Sequence, residues 1–335
     1  MFTKDLQDLV FKRHDGNGAE ELLIITGYIG PSPFRELSKL PIKCRVIYGM
    51  YGSDSIGERL HKTLNEFQSS SQNTELHYSK AGIHAKCYLW TKEGVVIDAL
   101  VGSANFSHNG LATPNREVLV EADPEVFPQL NEYFKNILSN SITCDSHLVV
   151  IKTKQNQNIS ASASASIECK LSFLSKIDGV IMVPKASGIN WGANSKKAGG
   201  TSNTSIGDAE IRITKEAIKA FPSLFPPKIG TSSKKSTTGK LTRQNDEIEL
   251  IWDDGFVMKG LLEQNNSMNG LLYPKAICSS EKKSVLGLYL RKRLGVSPTH
   301  IITKEDLTNY GRTDVTVSLL AEGVYEMDFS VNKTL

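Results

Sequence analysis

The chain has 335 residues, 39% of them hydrophobic and 22% charged, with a net charge of +3. This excludes a disordered or fibrous protein and suits two domains of ordinary size. No apolar run approaches the roughly 18 residues of a membrane span. The start lacks a signal peptide's separate apolar core. Five scattered cysteines without a CxxC pair argue against a disulfide scaffold or zinc ribbon, so a soluble cytoplasmic protein is predicted.

In chain order, LLIITGYIG (22–30) and CRVIYGM (44–50) are short β-rich runs closed by glycine, with a helix predicted from Pro31 to Leu40 between them. From Asp54 to Phe67, the residues Ile56, Leu60, Leu64 and Phe67 recur with the period of an amphipathic helix. Strands are predicted at 76–79, 83–90 and 95–102. A short helix start, a strand at 116–122 and a helix from Pro124 to about Leu138 follow. This alternation predicts an α/β domain over residues 1–150, a mixed sheet flanked by helices.

Residues 152–166, KTKQNQNISASASAS, have almost no bulky apolar side chain and no period. They cannot bury enough surface to offset their ordering entropy, which predicts a linker over 151–166. The region 167–335 has a different texture. Its short apolar runs (LSFLSKI, GVIMVPK, AEIRITK, EIELIWDDGFVMKGLLE, THIITKEDL, DVTVSLL) alternate with polar loops, the pattern of a β-rich sandwich or barrel. A hairpin is predicted to turn at Asp253-Asp254-Gly255, with helical pieces near Lys215–Phe221 and Ser284–Leu294.

Charge divides along the same seam. Residues 1–150 hold 14 Lys and Arg against 18 Asp and Glu, and residues 151–335 hold 25 against 18. A positive surplus confined to the second half suits a polyanionic partner, although surplus surface lysines are common without one.

Two pieces of the first domain carry chemistry. In Ile83-His84-Ala85-Lys86-Cys87, strand alternation puts His84 and Lys86 on one face, with Ile83, Ala85 and Cys87 on the other. An ammonium beside an imidazole favours the unprotonated, nucleophilic ring and neutralises phosphate charge. In Gly102-Ser103-Ala104-Asn105, a strand breaks at glycine and begins a helix, where Ser103 and Asn105 would lie near free amides suited to a phosphate oxygen. Glu117 opens the next strand and is positioned to hold the His84 ring in its reactive tautomer. His61 and His77 read as surface or packing residues, His108 as an exposed helix residue rather than a pocket-lining one, and Trp90 as core.

These residues resemble the phospholipase D superfamily, whose signature is HxK followed by GSxN. The sequence departs from it where a common aspartate follows the lysine, since Trp90-Thr91-Lys92 stand there. That weakens a lipase reading more than a nuclease one. The resemblance implies two facing copies of the signature, and this chain has one, so it implies a homodimer through the N-terminal domain. It also implies a phosphohistidine on one His84, proton donation by the other, charge stabilisation by Lys86, Ser103 and Asn105, and no metal or cofactor.

In the second domain, SGINWGANSKK (187–197) is rich in groups that pair with bases or phosphates. Ser187, Asn190, Trp191, Asn194, Lys196 and Lys197 are its candidates. Lys240 and Arg243 in 230–246, Asn265 and Asn266 in 263–270, and Lys282 and Lys283 are further ones, with Arg291-Lys292-Arg293 adding charge. Together with the SGINWG stretch, the whole chain resembles NgoFVII-type restriction endonucleases. That likeness implies a B3-like pseudobarrel reading double-stranded DNA with two loop arms, here 187–197 and roughly 263–283. It implies no membrane partner and leaves a helper ATPase open.

Two other readings share the catalytic motifs: a lipid or nucleotide phosphodiesterase, and a DNA-binding or nicking protein with the same fold. The sequence lacks amphipathic membrane helices, which weighs against lipid. Plasmid DNA incubated with and without EDTA separates the three.

Overall fold

A computed structural model describes residues 1–152, 167–196, 201, 203–228, 234–235, 241–242 and 245–331. The chain forms two compact units, Met1–Ala165 with Leu320–Val324, and Ser166–Leu319 with Tyr325–Leu335.

The first unit is built on strands β1 (Glu21–Thr26), β2 (Lys43–Tyr48), β3 (Thr74–Ser79), β4 (Cys87–Lys92), β5 (Val95–Gly102), β6 (Leu119–Glu121) and β7 (Ser141–Thr143). They form one sheet in the order β6-β5-β4-β1-β2-β3-β7. β1, β2 and β3 run parallel, while β4, β5, β6 and β7 pair antiparallel with their neighbours. This is the mixed sheet the alternation predicts.

β1 is central, and Leu22, Leu23, Ile24, Ile25 and Thr26 are all buried. An unbroken apolar run is what a strand covered on both faces requires. Leu23, Ile25, Ile47, Leu89 and Ala99 share a core with Phe134 and Ile137 of helix α1 (Phe127–Ser139). Alternation turns Leu22 and Ile24 to the opposite face.

The register positions the site. Ile25 pairs with Cys87, Cys87 with Val101, and Gly102 with Leu119. The end of β1, the start of β4, the end of β5 and the start of β6 therefore meet at one edge of the sheet. Open α/β sheets bind ligands at the carboxyl ends of their parallel strands, and this edge is that end of β1.

Several boundaries differ from the sequence reading. The amphipathic helix starts at Glu58 rather than Asp54 and ends at Ser69, after a turn at Tyr51–Asp54 and a short bridge at Ile56-Gly57. The strand predicted at 83–90 starts at Cys87, so His84 and Lys86 lie in the extended segment before it. The helix after the GSAN motif starts at His108, capped by the Ser107 hydroxyl, which accepts from the Gly110 N–H. Of the predicted linker, Ile151 and Lys152 pair in parallel with Ile56 and Gly57, and 153–166 fall outside the described residues.

The second unit carries a seven-stranded sheet. Its order is Glu168–Ser172, Asp314–Ala321, Val324–Asp328, Asp246–Trp252, Val257–Glu263, Ala276–Ser279 and Ile211–Arg212. The two edge strands touch one another, so the sheet curls into a nearly closed barrel. Closure removes exposed strand edges. The predicted hairpin turns at Asp253-Asp254-Gly255, and helix Ser284–Leu294 stands where expected. THIITKEDL is not a strand. Thr303 and Asp306 form a capping box on helix Lys304–Tyr310, and these local caps outweigh the short β-rich run before it. All five cysteines are free and buried.

Candidate active site

His84 and Lys86 alternate as predicted. His84 is exposed and Lys86 buried, while Ile83 and Ala85 pack against the core cluster that contains Cys87. The Lys86 ammonium lies 3.0 Å from His84 Nδ1 and 3.1 Å from Nε2, and donates to the His84 carbonyl at 2.7 Å. An ammonium can donate to a ring nitrogen only where that nitrogen carries no proton, so it can donate to one of the two at a time. Burial pushes the Lys86 ammonium below its ordinary value, against the pull of Glu322 and Glu117. Among the described residues, no carboxylate lies within ion-pair distance of it.

Asn105 is buried at the same edge. Its Oδ1 accepts the Tyr28 backbone N–H at 3.0 Å, which turns Nδ2 the other way. Nδ2 donates at 3.3 Å to Glu322, a residue of the same unit, and the Arg116 guanidinium donates to that carboxylate at 3.1 Å. A negatively charged group thus sits on the amide already. Gly27 marks where the side chains converge. A Cβ built there would lie 2.9 Å from His84 Cδ2, 3.0 Å from Lys86 Nζ and 3.2 Å from Asn105 Oδ1.

Two expectations need correcting. Glu117 does not hold the His84 ring. It accepts a hydrogen bond from Ser103 Oγ, which in turn accepts the Val118 N–H at 3.1 Å. Ser103 therefore spends its proton on Glu117 and does not sit at a helix start. Gly102 is required for close approach rather than for a turn, because a Cβ there would overlap the Val118 carbonyl.

The DNA-binding candidates divide sharply. Asn190 is fully buried, donating to the carbonyls of Pro184 (3.1 Å) and Ile302 (2.8 Å) and accepting from Ile302 N–H (2.9 Å) and Arg291 (3.3 Å). It holds the fold rather than facing solvent. Within the stretch 187–197, Gly188–Asn194 form a 3-10 turn, and Lys197 lies outside the described residues. Ser187, Lys196, Asn265 and Lys282 are exposed and Trp191 partly so. Asn266 donates to the carbonyls of Ile213 and Pro274, and Lys283 pairs with Glu263. Arg291 is buried, and Arg293 is tied to Asp253, which leaves Lys292 exposed in that basic run. Lys197, Lys240 and Arg243 lie outside the described residues, as does the Asn194 side chain.

Among the described residues, three hairpins stand apart from the main sheet: Ser175–Ile177 pairs with Val180–Met182, Lys234–Lys235 with Leu241–Thr242, and Asn266–Met268 with Leu271–Tyr273. The turns of the first and third, Asp178-Gly179 and Asn269-Gly270, have positive φ at both positions. Asp-Gly and Asn-Gly favour this turn, a signal present in the sequence. Glu210, Glu263 and Cys278 bring three potential metal-ligand atoms within 4.8 Å of one another. Lys283 donates to the Glu263 carboxylate and the Gln264 amide to that of Glu210.

Residues 4–151 match the family described as NgoFVII restriction endonuclease N-terminal PLD domain, so the site lies in a phospholipase D-like nuclease domain. Residues 161–321 match the NgoFVII C-terminal B3-like DNA-binding domain. The chain belongs to the NgoFVII restriction endonuclease family, and is a DNA-cleaving hydrolase with a nuclease domain followed by a DNA-binding domain. No curated protein matches it. Among solved structures it is similar to NucT from Helicobacter pylori, at 17% identity and TM-score 0.31 over 41% of this chain and 92% of that one. It is also similar to Nuc, a phospholipase D family member from Salmonella typhimurium, at 13% identity and TM-score 0.28 over 41% and 89%. Among the described residues, no helix is long and apolar enough to cross a membrane.

Proposed function

We propose that this chain is a type II restriction endonuclease that hydrolyses double-stranded DNA without a metal, as a cytoplasmic dimer joined through residues 1–150. The observation that carries this reading is the Lys86 ammonium held against both ring nitrogens of His84. It supplies, beside the His84 ring, the positive charge that a divalent ion provides in other nucleases.

A His84 ring nitrogen attacks phosphorus, forming an N–P bond as the P–O bond to the leaving deoxyribose oxygen breaks. That oxygen takes a proton from the protonated His84 of the partner subunit. Water then attacks phosphorus, the N–P bond breaks, and the water's proton returns to the second imidazole. Lys86 and the Asn105 amide stabilise the non-bridging oxygens. Glu117 fixes the Ser103 hydroxyl beside them. The unit beyond the 151–166 linker supplies sequence recognition, with exposed Ser187, Lys196, Asn265 and Lys282 and half-buried Trp191 as its contacts and the Asn269-Gly270 hairpin as one arm.

Plasmid cleavage tests this. Discrete fragments are expected in EDTA as well as without it, and loss of cleavage on chelation contradicts the reading. His84→Ala should reduce cleavage on the order of 10⁴-fold or more while site-specific binding in a gel-shift assay is kept. Loss of binding in that variant contradicts the division of labour.

A further inference from the structure

The motifs that define the site are HxK and GSxN, yet their side chains meet over a third segment. We infer that Thr26-Gly27-Tyr28, at the end of β1, is a positioning element of the active site, with Tyr28 fixing both the His84 ring and the Asn105 amide. This rests on the assignment of His84 as nucleophile.

Asn105 can offer a phosphate oxygen its NH2 end only if its carbonyl end is held elsewhere, and the Tyr28 N–H holds it. The loop that carries this N–H is itself tied down. The Thr26 hydroxyl, fully buried, donates to the Tyr28 carbonyl at 2.7 Å and accepts the Phe106 N–H at 2.8 Å. Gly30 N–H donates to the Phe106 carbonyl at 2.9 Å. Residues 26–30 thus run beside Asn105-Phe106 and set the amide's orientation.

The Tyr28 ring does the second task. It packs edge-to-face on the His84 ring, with centroids 5.9 Å apart at 77°, while its hydroxyl donates to Asp54 Oδ2 at 2.8 Å. His84 is exposed and precedes its strand, so neighbouring side chains rather than a sheet ladder must orient its ring. Asp54 is held at some cost, because Ser55 follows it at φ 52 and ψ −162, a region normally left to glycine. Burial, helped by Asp54, pushes the Tyr28 phenol up to about 12, so the hydroxyl remains a donor at neutral pH. Gly27 completes the element. Any side chain there would wedge against His84, Lys86 and Asn105 at once.

The test uses the full chain and steady-state plasmid cleavage over a range of DNA concentrations, which separates kcat from KM. Tyr28→Ala should lower kcat by about 10- to 100-fold, with KM within about twofold of the parent. Tyr28→Phe keeps the ring and the N–H and should recover most of the rate. Gly27→Ala should lose about 100-fold, the scale of an ångström's misplacement, with an unchanged melting temperature. If Gly27→Ala does not fold, the Tyr28 pair decides. Wild-type kcat in Tyr28→Ala overturns the inference, as does a loss explained wholly by a lower melting temperature. His84→Ala is the control for the underlying reading: full activity there removes the nucleophile, whereas failure at Tyr28 alone leaves it standing.

Discussion

Lys86 in the first unit and Arg293 in the second are both largely withdrawn from water, but their partners differ. Arg293 donates to both carboxylate oxygens of Asp253 at 3.1 and 2.8 Å, to Tyr289 and Tyr310, and to the Phe329 carbonyl. Its charge is fully used inside the fold. Lys86 donates to an imidazole and a carbonyl and has no carboxylate beside it among the described residues. A buried charge left without an opposite charge is costly, and that cost is relieved when an anion arrives. The partner, more than the cation itself, tells a binding group from a structural one.

Exchanging the two cations for neutral groups should give opposite phenotypes. Lys86→Met should lower cleavage by about 100- to 1,000-fold, comparable to losing a transition-state donor, yet not lower the midpoint of urea unfolding. Equal loss of stability would remove the contrast. Arg293→Met removes the cation held between Asp253 and Asp254 and should cost about 3–5 kcal/mol in urea unfolding, leaving any folded fraction active.

The pH dependence sharpens the comparison. With its ammonium lowered from 10.5 by burial, Lys86 gives up its proton at a lower pH in the native chain than in the unfolded one. Cleavage should fall as pH rises through that lowered value. Stability should rise over the same window, because there the unfolded chain binds the extra proton. A Lys86→Arg variant, charged throughout, should lose the alkaline fall; a profile identical to the parent's assigns the limb to another group.

Asn190→Ala leaves buried partners unsatisfied and should cost about 1–3 kcal/mol of stability. Filter binding of the folded protein should show unchanged DNA affinity, and a selective loss of affinity would return Asn190 to the interface. The smallest effect belongs to Lys282→Ala, which should reduce the slope of log affinity against log salt by about 1 and weaken all sequences alike.

The same contrast explains what the sequence revealed. His84, Lys86 and Asn105 were legible because HxK and GSxN are local, and extended backbone sends alternate side chains to one face. Tyr28 and Gly27 were not, since their roles arise from sheet register that brings the end of β1 against Cys87 and Val101. Asn190 and Arg291 looked like DNA contacts in a polar, basic stretch, but each satisfies the other across 101 positions. The barrel class was readable from short runs and turn residues. At Lys304–Tyr310 two local signals compete, the β-rich THII and the Thr303–Asp306 capping box, and the capping box prevails.

The most direct measurement is acid-free quenching of the cleavage reaction in EDTA, followed by mass spectrometry of the His84 peptide. The account predicts a DNA phosphate adduct on His84 that forms and decays at the rate of cleavage. Cleavage proceeding at full rate with no adduct on that peptide would contradict it.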